Sequence, residues 1–198
     1  MTNNVAEHSR AVYQSHTGYI PRAGVNCPSF GSNVSKELEN VSKELPSFVS
    51  IGSSNDAIGA GFLGMTYSPF IVNDPSKMPH NIAIPRKIDN YRFSRRLSLL
   101  SDLESQYAEL GAKARVKDHK DIYLNAANLI KSSNLKCFDI SKENEKTHEA
   151  YGKTNFGQAC LLASRLIEHG VTFVEVESEH WYSFGKAQVL KSKINDDF

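Results

Sequence analysis

The chain has 198 residues, with 23 Lys+Arg against 22 Asp+Glu for a formal charge of +1, and 40% hydrophobic and 23% charged residues. That length fits one domain, and the near-neutral balance excludes broad electrostatic attraction to nucleic acid or to acidic membranes. No run approaches the ~18 apolar residues of a membrane span, and the start, Met1 to His8, has no basic stretch leading into an apolar one; no export signal is expected, and the chain as written should stay in the cytoplasm.

A helix is expected over Glu7 to Ser15, closed by His16-Thr17-Gly18. His8 and His16 then share one side, either as hydrogen-bonded histidines at helix ends or as a pair facing a substrate anion. All seven prolines (Pro21, Pro28, Pro46, Pro69, Pro75, Pro79 and Pro85) fall in the first 90 residues. Because proline fixes φ and removes a donor, that half should consist of turns and extended connections with short ordered pieces. One piece is a short helix around Asn33 to Glu39. The hexapeptide Asn33 to Leu38 recurs at Asn40 to Leu45 and stops at Pro46, too short and too few copies for a repeat architecture. A brief buried strand is read at Phe48 to Gly52.

Gly59-Ala60-Gly61-Phe62-Leu63-Gly64 fits G-x-G-x-x-G. That fingerprint binds a dinucleotide only where its glycines turn directly from a strand into a helix. Here six residues separate it from the strand and Pro69 follows closely, so a surface loop and no nucleotide are expected. Residues 66–89, spaced by four prolines, should run extended over the surface with no helix.

The second half is helical by period. From Arg92, the apolar positions Phe93, Leu97, Leu100, Leu103, Tyr107 and Leu110 recur at three and four residues up to Gly111. Arg86, Lys87, Arg92, Arg95 and Arg96 make a local basic patch that reads as a solvated helix face. A second helix runs from about Val116 to Ser132, with Ile122, Tyr123, Ala126, Leu129 and Ile130 on its buried side. Asp139 to Tyr151 is polar, either a short exposed helix or a loop. Thr154 then caps a helix bearing Phe156, Cys160, Ala163, Leu166 and Ile167, Gly170 stops it, and the strand Val171 to Val176 follows. Helix, glycine, strand is half of a parallel crossover. With two clear strands in the whole chain, the sequence reads as part of an α/β domain.

Alternation along that last strand places Glu175, Glu177 and Glu179 on one side just before His180. Ligands of parallel α/β sheets bind beyond the carboxyl ends of strands, so Glu175, Glu177 and His180 are candidate ligands for a divalent metal (Zn, Ca or Mg); the rival reading is an acidic loop start. Cys27, Cys137 and Cys160 are odd in number, widely spaced and without a C-x-x-C pair, as expected of reduced, structural thiols.

The blocks His16-Thr17-Gly18-Tyr19, Pro28-Ser29-Phe30-Gly31-Ser32, Leu45 to Ile51, Gly61 to Gly64, Tyr67-Ser68-Pro69-Phe70, Arg95-Arg96-Leu97, Phe156 to Ala163 and Val171 to Val176 together resemble a bacterial family. It is the one catalogued as domain of unknown function 1501 and assigned to the sulfatase and alkaline-phosphatase-like superfamily. The resemblance spans residues 6 to about 181. It implies an α/β/α sandwich of the alkaline-phosphatase-like type, here partial, with few parallel strands and a helical second half. It also implies hydrolysis of a small-molecule phosphate or sulfate ester with divalent metals, export to the periplasm or outside, and a nucleophile position at or before residue 6.

The departures from the family pattern are specific. A glycine-rich strand with a metal-site aspartate would precede Met1, and an Asp-His segment would follow Phe198. Where the family reads Trp-Asp-Thr-His after the last strand, this chain reads Trp181-Tyr182-Ser183-Phe184, and Tyr and Phe do not replace a carboxylate and an imidazole as hard-metal ligands. The expectation is a single incomplete domain over 1–198: loops with a short helix and strand over 1–90, helices and a final strand over 91–198. It resembles the middle of a metal-dependent ester hydrolase and is expected to be inactive alone. The rival is a non-catalytic binding or structural protein derived from that fold. Open strand edges make self-association an expectation.

Overall fold

The computed structural model describes residues 7–38, 44–52, 58–79, 82 and 88–178. His180, the segment 181–184, Arg86, Lys87 and most of the second hexapeptide lie outside them.

The apolar run Phe48-Val49-Ser50-Ile51 forms β1 (Phe48–Ile51), buried at every residue. Full burial suits a strand flanked on both sides and covered on both faces. On one side it pairs in parallel with β2 (Phe70–Val72), Val49 opposite Phe70. On the other it pairs in parallel with β3 (Phe173–Val176), Ser50 opposite Glu175. The sheet order is β2-β1-β3.

Residues 70–72 are extended, as read, but they form strand β2, a third strand beyond the two expected, and Val72 is buried rather than on the surface. The strand's three residues between Pro69 and Pro75 are too few to show a period of two, and a proline directly before an edge strand costs the ladder nothing. A 3-10 turn at Met65–Tyr67 precedes it.

Successive strand residues point to opposite faces. Val49, Ile51, Val72, Val174 and Val176 share the larger core with Leu129, Cys137, Phe138, Leu161, Leu162 and Leu166. The other face presents Phe48 and Phe173 to α2 (Phe30–Glu37). Phe173 stands edge-on to Phe30 and to Phe48, with ring centroids 5.6 and 5.3 Å apart. Gly31 lets α2 sit this close, since a Cβ there would lie 2.6 Å from the Phe48 ring and 2.7 Å from that of Phe173. Ser29 caps the helix through Ser32 N–H.

The last helix, α6 (Asn155–Glu168), starts where the sequence places it: Thr154 Oγ1 accepts from Gly157 N–H at 3.0 Å. Gly170, at φ 93°, turns the chain toward β3. Ala159, Leu161, Leu162 and Leu166 are buried, while Phe156 and Ile167 are about half exposed. The helix is apolar over a wide arc, and period alone leaves its facing open. Its facing follows from α5 (Glu145–Tyr151), which abuts Gly157 so closely that a Cβ there would lie 2.1 Å from the Tyr151 carbonyl oxygen. His148 of α5 bonds Gln158 at 2.9 Å and the Ile140 carbonyl at 3.1 Å. The polar segment before α5 is a 3-10 turn, Ile140–Lys142, so Asp139 to Tyr151 is part turn and part helix.

Between β2 and α6 lies a helical hairpin of α3 (Asn90–Tyr107), a π turn (Ala108–Ala112) and α4 (Lys113–Lys131). Its pairing is antiparallel: Glu104 meets His119, and Lys131 Nζ lies 5.8 Å from the centre of the Phe93 ring. On α4, Ala127 and Leu129 are buried, whereas Tyr123 and Ala126, expected inside, are exposed. Leu129 is buried as expected, and Ile122 and Ile130 are half-buried. The whole is a mixed α/β structure, mostly helical, around a small three-stranded parallel sheet. No helix among the described residues is long and apolar enough to cross a membrane.

Leu162 is fully buried against the sheet, so Leu162→Ala is expected to cost about 2–5 kcal/mol. Gly31→Ala, which drives a methyl into two rings, is expected to cost about 1–3 kcal/mol. Urea unfolding followed by circular dichroism measures both, and a free energy unchanged by Leu162→Ala would contradict this packing.

Candidate metal centre

In the order β2-β1-β3 the chain leaves β1 for one neighbour and returns later to the other side, so β1 and β3 flank a topological switch point. In open parallel sheets the crevice beyond the carboxyl ends at such a point is where ligands bind. Beyond β1 comes Gly52 at φ 79°, a conformation that favours glycine. A Cβ at that residue would lie 2.7 Å from the Glu177 carbonyl oxygen. Glu177 N–H donates to the Ile51 carbonyl at 2.9 Å, so the chain after β3 stays locked to the end of β1.

This backbone fixes two carboxylates. Glu175 lies in β3 and Glu177 two residues on, hence on the same side. The third group comes from α1 (His8–Thr17), which forms where the sequence expects a helix. Glu7 caps its start by accepting from Ser9 and Arg10 N–H, and Gly18, left-handed at φ 76°, closes its end. Cys27 N–H donates to Tyr13 Oη at 2.6 Å and ties the helix to the loop that follows. His16, in the last turn, places Nε2 3.4 Å from Glu175 Oε1, each side chain 25% exposed.

His16, Glu175 and Glu177 each offer one ligand atom, and these atoms all lie within 4.8 Å of one another. Burial raises the Glu177 carboxyl above its ordinary range, the charge of Glu175 adds to the rise, and His16 opposes it. Two carboxylates and an imidazole supply the N and O donor types that zinc takes. Calcium, which takes six to eight oxygens, would need more donors than these three residues supply.

Among the sequence candidates, then, the structure brings together Glu175 and Glu177 and adds His16, which had been paired with His8. His8 opens α1 and is exposed; it lies about 12 Å along the helix axis from His16 and outside the group. His180 falls beyond the described residues. The link between His16 and the two glutamates spans most of the chain, and no local spacing signals it.

Within the glycine motif the chain makes a 3-10 turn, Gly61–Leu63, followed by another at Met65–Tyr67. Gly61 serves a close approach: a Cβ there would lie 2.2 Å from the Asn26 carbonyl oxygen. All three cysteines are free, and burial pushes the Cys137 thiol up to about 11, which keeps it an inert core group.

A family model described as "Protein of unknown function (DUF1501)" matches residues 1–191. No curated protein and no solved structure matches the chain.

A carboxyl whose folded-state pKa stands above its unfolded value holds its proton more tightly in the folded chain, so the folded state loses stability as pH rises through that interval. Glu177→Gln is therefore expected to raise the melting temperature of chelator-treated protein well above pH 4.5, the ordinary glutamate value, and to leave it unchanged below. Melting curves at pH 4 and pH 7 check this; a variant less stable than the parent at the higher pH would show that burial and the nearby Glu175 do not disfavour the charged Glu177 carboxylate.

Proposed function

This chain belongs to the DUF1501 family, and from that membership together with the group His16, Glu175 and Glu177 we propose that it is a divalent-metal-binding protein of the phosphate or sulfate ester hydrolase type. The observation that carries the reading is the convergence of one imidazole and two carboxylates at the β1/β3 switch point, with donor atoms inside 4.8 Å. When bound, a divalent cation supplies charge to polarise an ester oxygen and lowers the pKa of a bound water.

The chain's own groups do the positioning. Glu175 faces His16 Nε2 and orients the imidazole. Glu177, the carboxyl that burial makes harder to ionise, gains most from a neighbouring cation. Gly52 and the Ile51 carbonyl hold Glu177 at its distance from β1. A phosphate or sulfate ester approaches from the carboxyl side of the sheet, where no strand end crosses the crevice among the described residues.

The sequence also favours binding without turnover for this chain by itself. Tyr182, Ser183 and Phe184 stand where the family pattern that the chain resembles has Asp, Thr and His. Metal binding without hydrolysis is thus the expected behaviour, and it joins the hydrolase ancestry to the rival reading of a non-catalytic binding protein.

Titration of the chelator-treated chain with zinc is expected to show stoichiometric binding. Zinc at about 100 times its dissociation constant should stabilise the fold by about 2.7 kcal/mol. His16→Ala combined with Glu175→Ala should abolish both effects, while His8→Ala should leave them intact. Absence of binding by calorimetry and by thermal shift would defeat the proposal. With zinc present, turnover of an aryl phosphate or aryl sulfate would overturn the claim that the chain is silent alone while leaving the metal site standing.

A further inference from the structure

The helix α3, 18 residues long, contains no buried residue. Its inner line, Phe93, Leu97 and Leu100, is half buried toward α4. A second apolar line runs along its outer side and into the π turn: Leu99, Leu103, Tyr107 and Leu110, exposed by 60, 53, 68 and 82%. The steps of four, four and three residues keep these side chains on one stripe of a helix. A stripe of this length facing water asks for a partner.

The charges on the same helix identify it. Arg92, Arg95 and Arg96 lie in the first turns of α3, and Asp102, Glu104 and Glu109 follow in the second half and the π turn. Glu104 is engaged by His119 of α4, which leaves Asp102 and Glu109 as the acidic flank. The helix is thus positive in its first turns and negative in its second half, with the apolar stripe running beside the acidic groups. Such a surface is complementary to itself when two copies run antiparallel, the requirement of a two-fold interface in which the same patch serves both sides. The helix dipoles, being opposed, add to the match.

The geometry points to a dimer of this chain through α3, packed antiparallel on α3 of a second copy. With the crossing near residue 101, Leu99 of one chain meets Leu103 of the other, and Arg95 comes beside the partner's Glu109, twice by symmetry. Arg96 lies over the partner's Tyr107, where guanidinium and ring attract. The arginines that the basic patch places on α3 become half of an interface. One helix pair buries little area, so the dimer is weak and concentration-dependent. The inference does not depend on the metal centre, which lies on the sheet.

Sedimentation equilibrium of the full chain over a dilution series tests it. The expected result is a reversible monomer–dimer equilibrium that weakens as salt rises. Leu103→Asp, at an exposed position where folding should survive and circular dichroism verifies it, should raise the dissociation constant at least about tenfold. Arg95→Glu and Glu109→Arg should each weaken self-association, since each sets like charges together. An equimolar mixture of those two variants should associate again, because every crossing pair is then opposite in sign. A monomer at every concentration would overturn the inference. So would a dimer indifferent to Leu103→Asp, or a mixture of charge variants that fails to associate.

Discussion

The parallel pairing of β1 with a strand on each side is the interaction on which the rest of this structure depends. Phe48 to Ile51 alone among the strands is buried throughout, and its two faces divide the molecule. Val49 and Ile51 anchor the larger core beneath α6, while Phe48 gives α2 its ring contact. A strand so enclosed must satisfy its backbone groups on both edges, because an unpaired buried N–H or C=O costs as much as a lost hydrogen bond. The neighbours β2 and β3 meet that demand, and their placement on opposite sides creates the crevice in which His16 meets Glu175 and Glu177. The site is a by-product of hydrogen-bond satisfaction in one four-residue segment.

Much of this was legible in the sequence, for reasons that can be named. Phe48 to Ile51 is a short apolar run bounded by Pro46 and Gly52, and it is β1. Thr154, Gly170 and the segment between them declared a capped helix, and α6 begins and ends within two residues of that reading. The histidine, glycine and turn residues at 16–18 closed α1 as expected. These signals are local: a cap, a stop and a period are written in neighbouring residues. Membership of the DUF1501 family was legible as well, from ordered blocks spread over the chain.

What escaped was set by tertiary choice. β2 has three residues, and nothing in Phe70-Ile71-Val72 distinguishes a strand from an extended connection until Val49 and Ile51 lie beside it. The sequence leaves the inner face of α6 open because both arcs are apolar, and the close approach of Gly157 to the Tyr151 carbonyl goes with the face that is buried. Among the site residues, the glutamates could be found from strand alternation, whereas His16 joins them only because the fold brings α1 beside β3. Its company could not be deduced from its separation to His8.

The pairing of β1 with β3 carries a kinetic implication. Phe48 and Phe173 are register partners, so the central strand waits for most of the chain to be made before its second edge is covered. Helical hairpins such as α3–α4 close through local contacts and form fast, but contacts between distant residues are slow, since the loop entropy is lost before the contact repays it. During synthesis an apolar strand with an open edge therefore stands exposed for longer than any helix of the molecule. That interval favours pairing with other strands and aggregation, and the demand for chaperone protection falls on residues 48–51 rather than on the polar helices that dominate the finished surface.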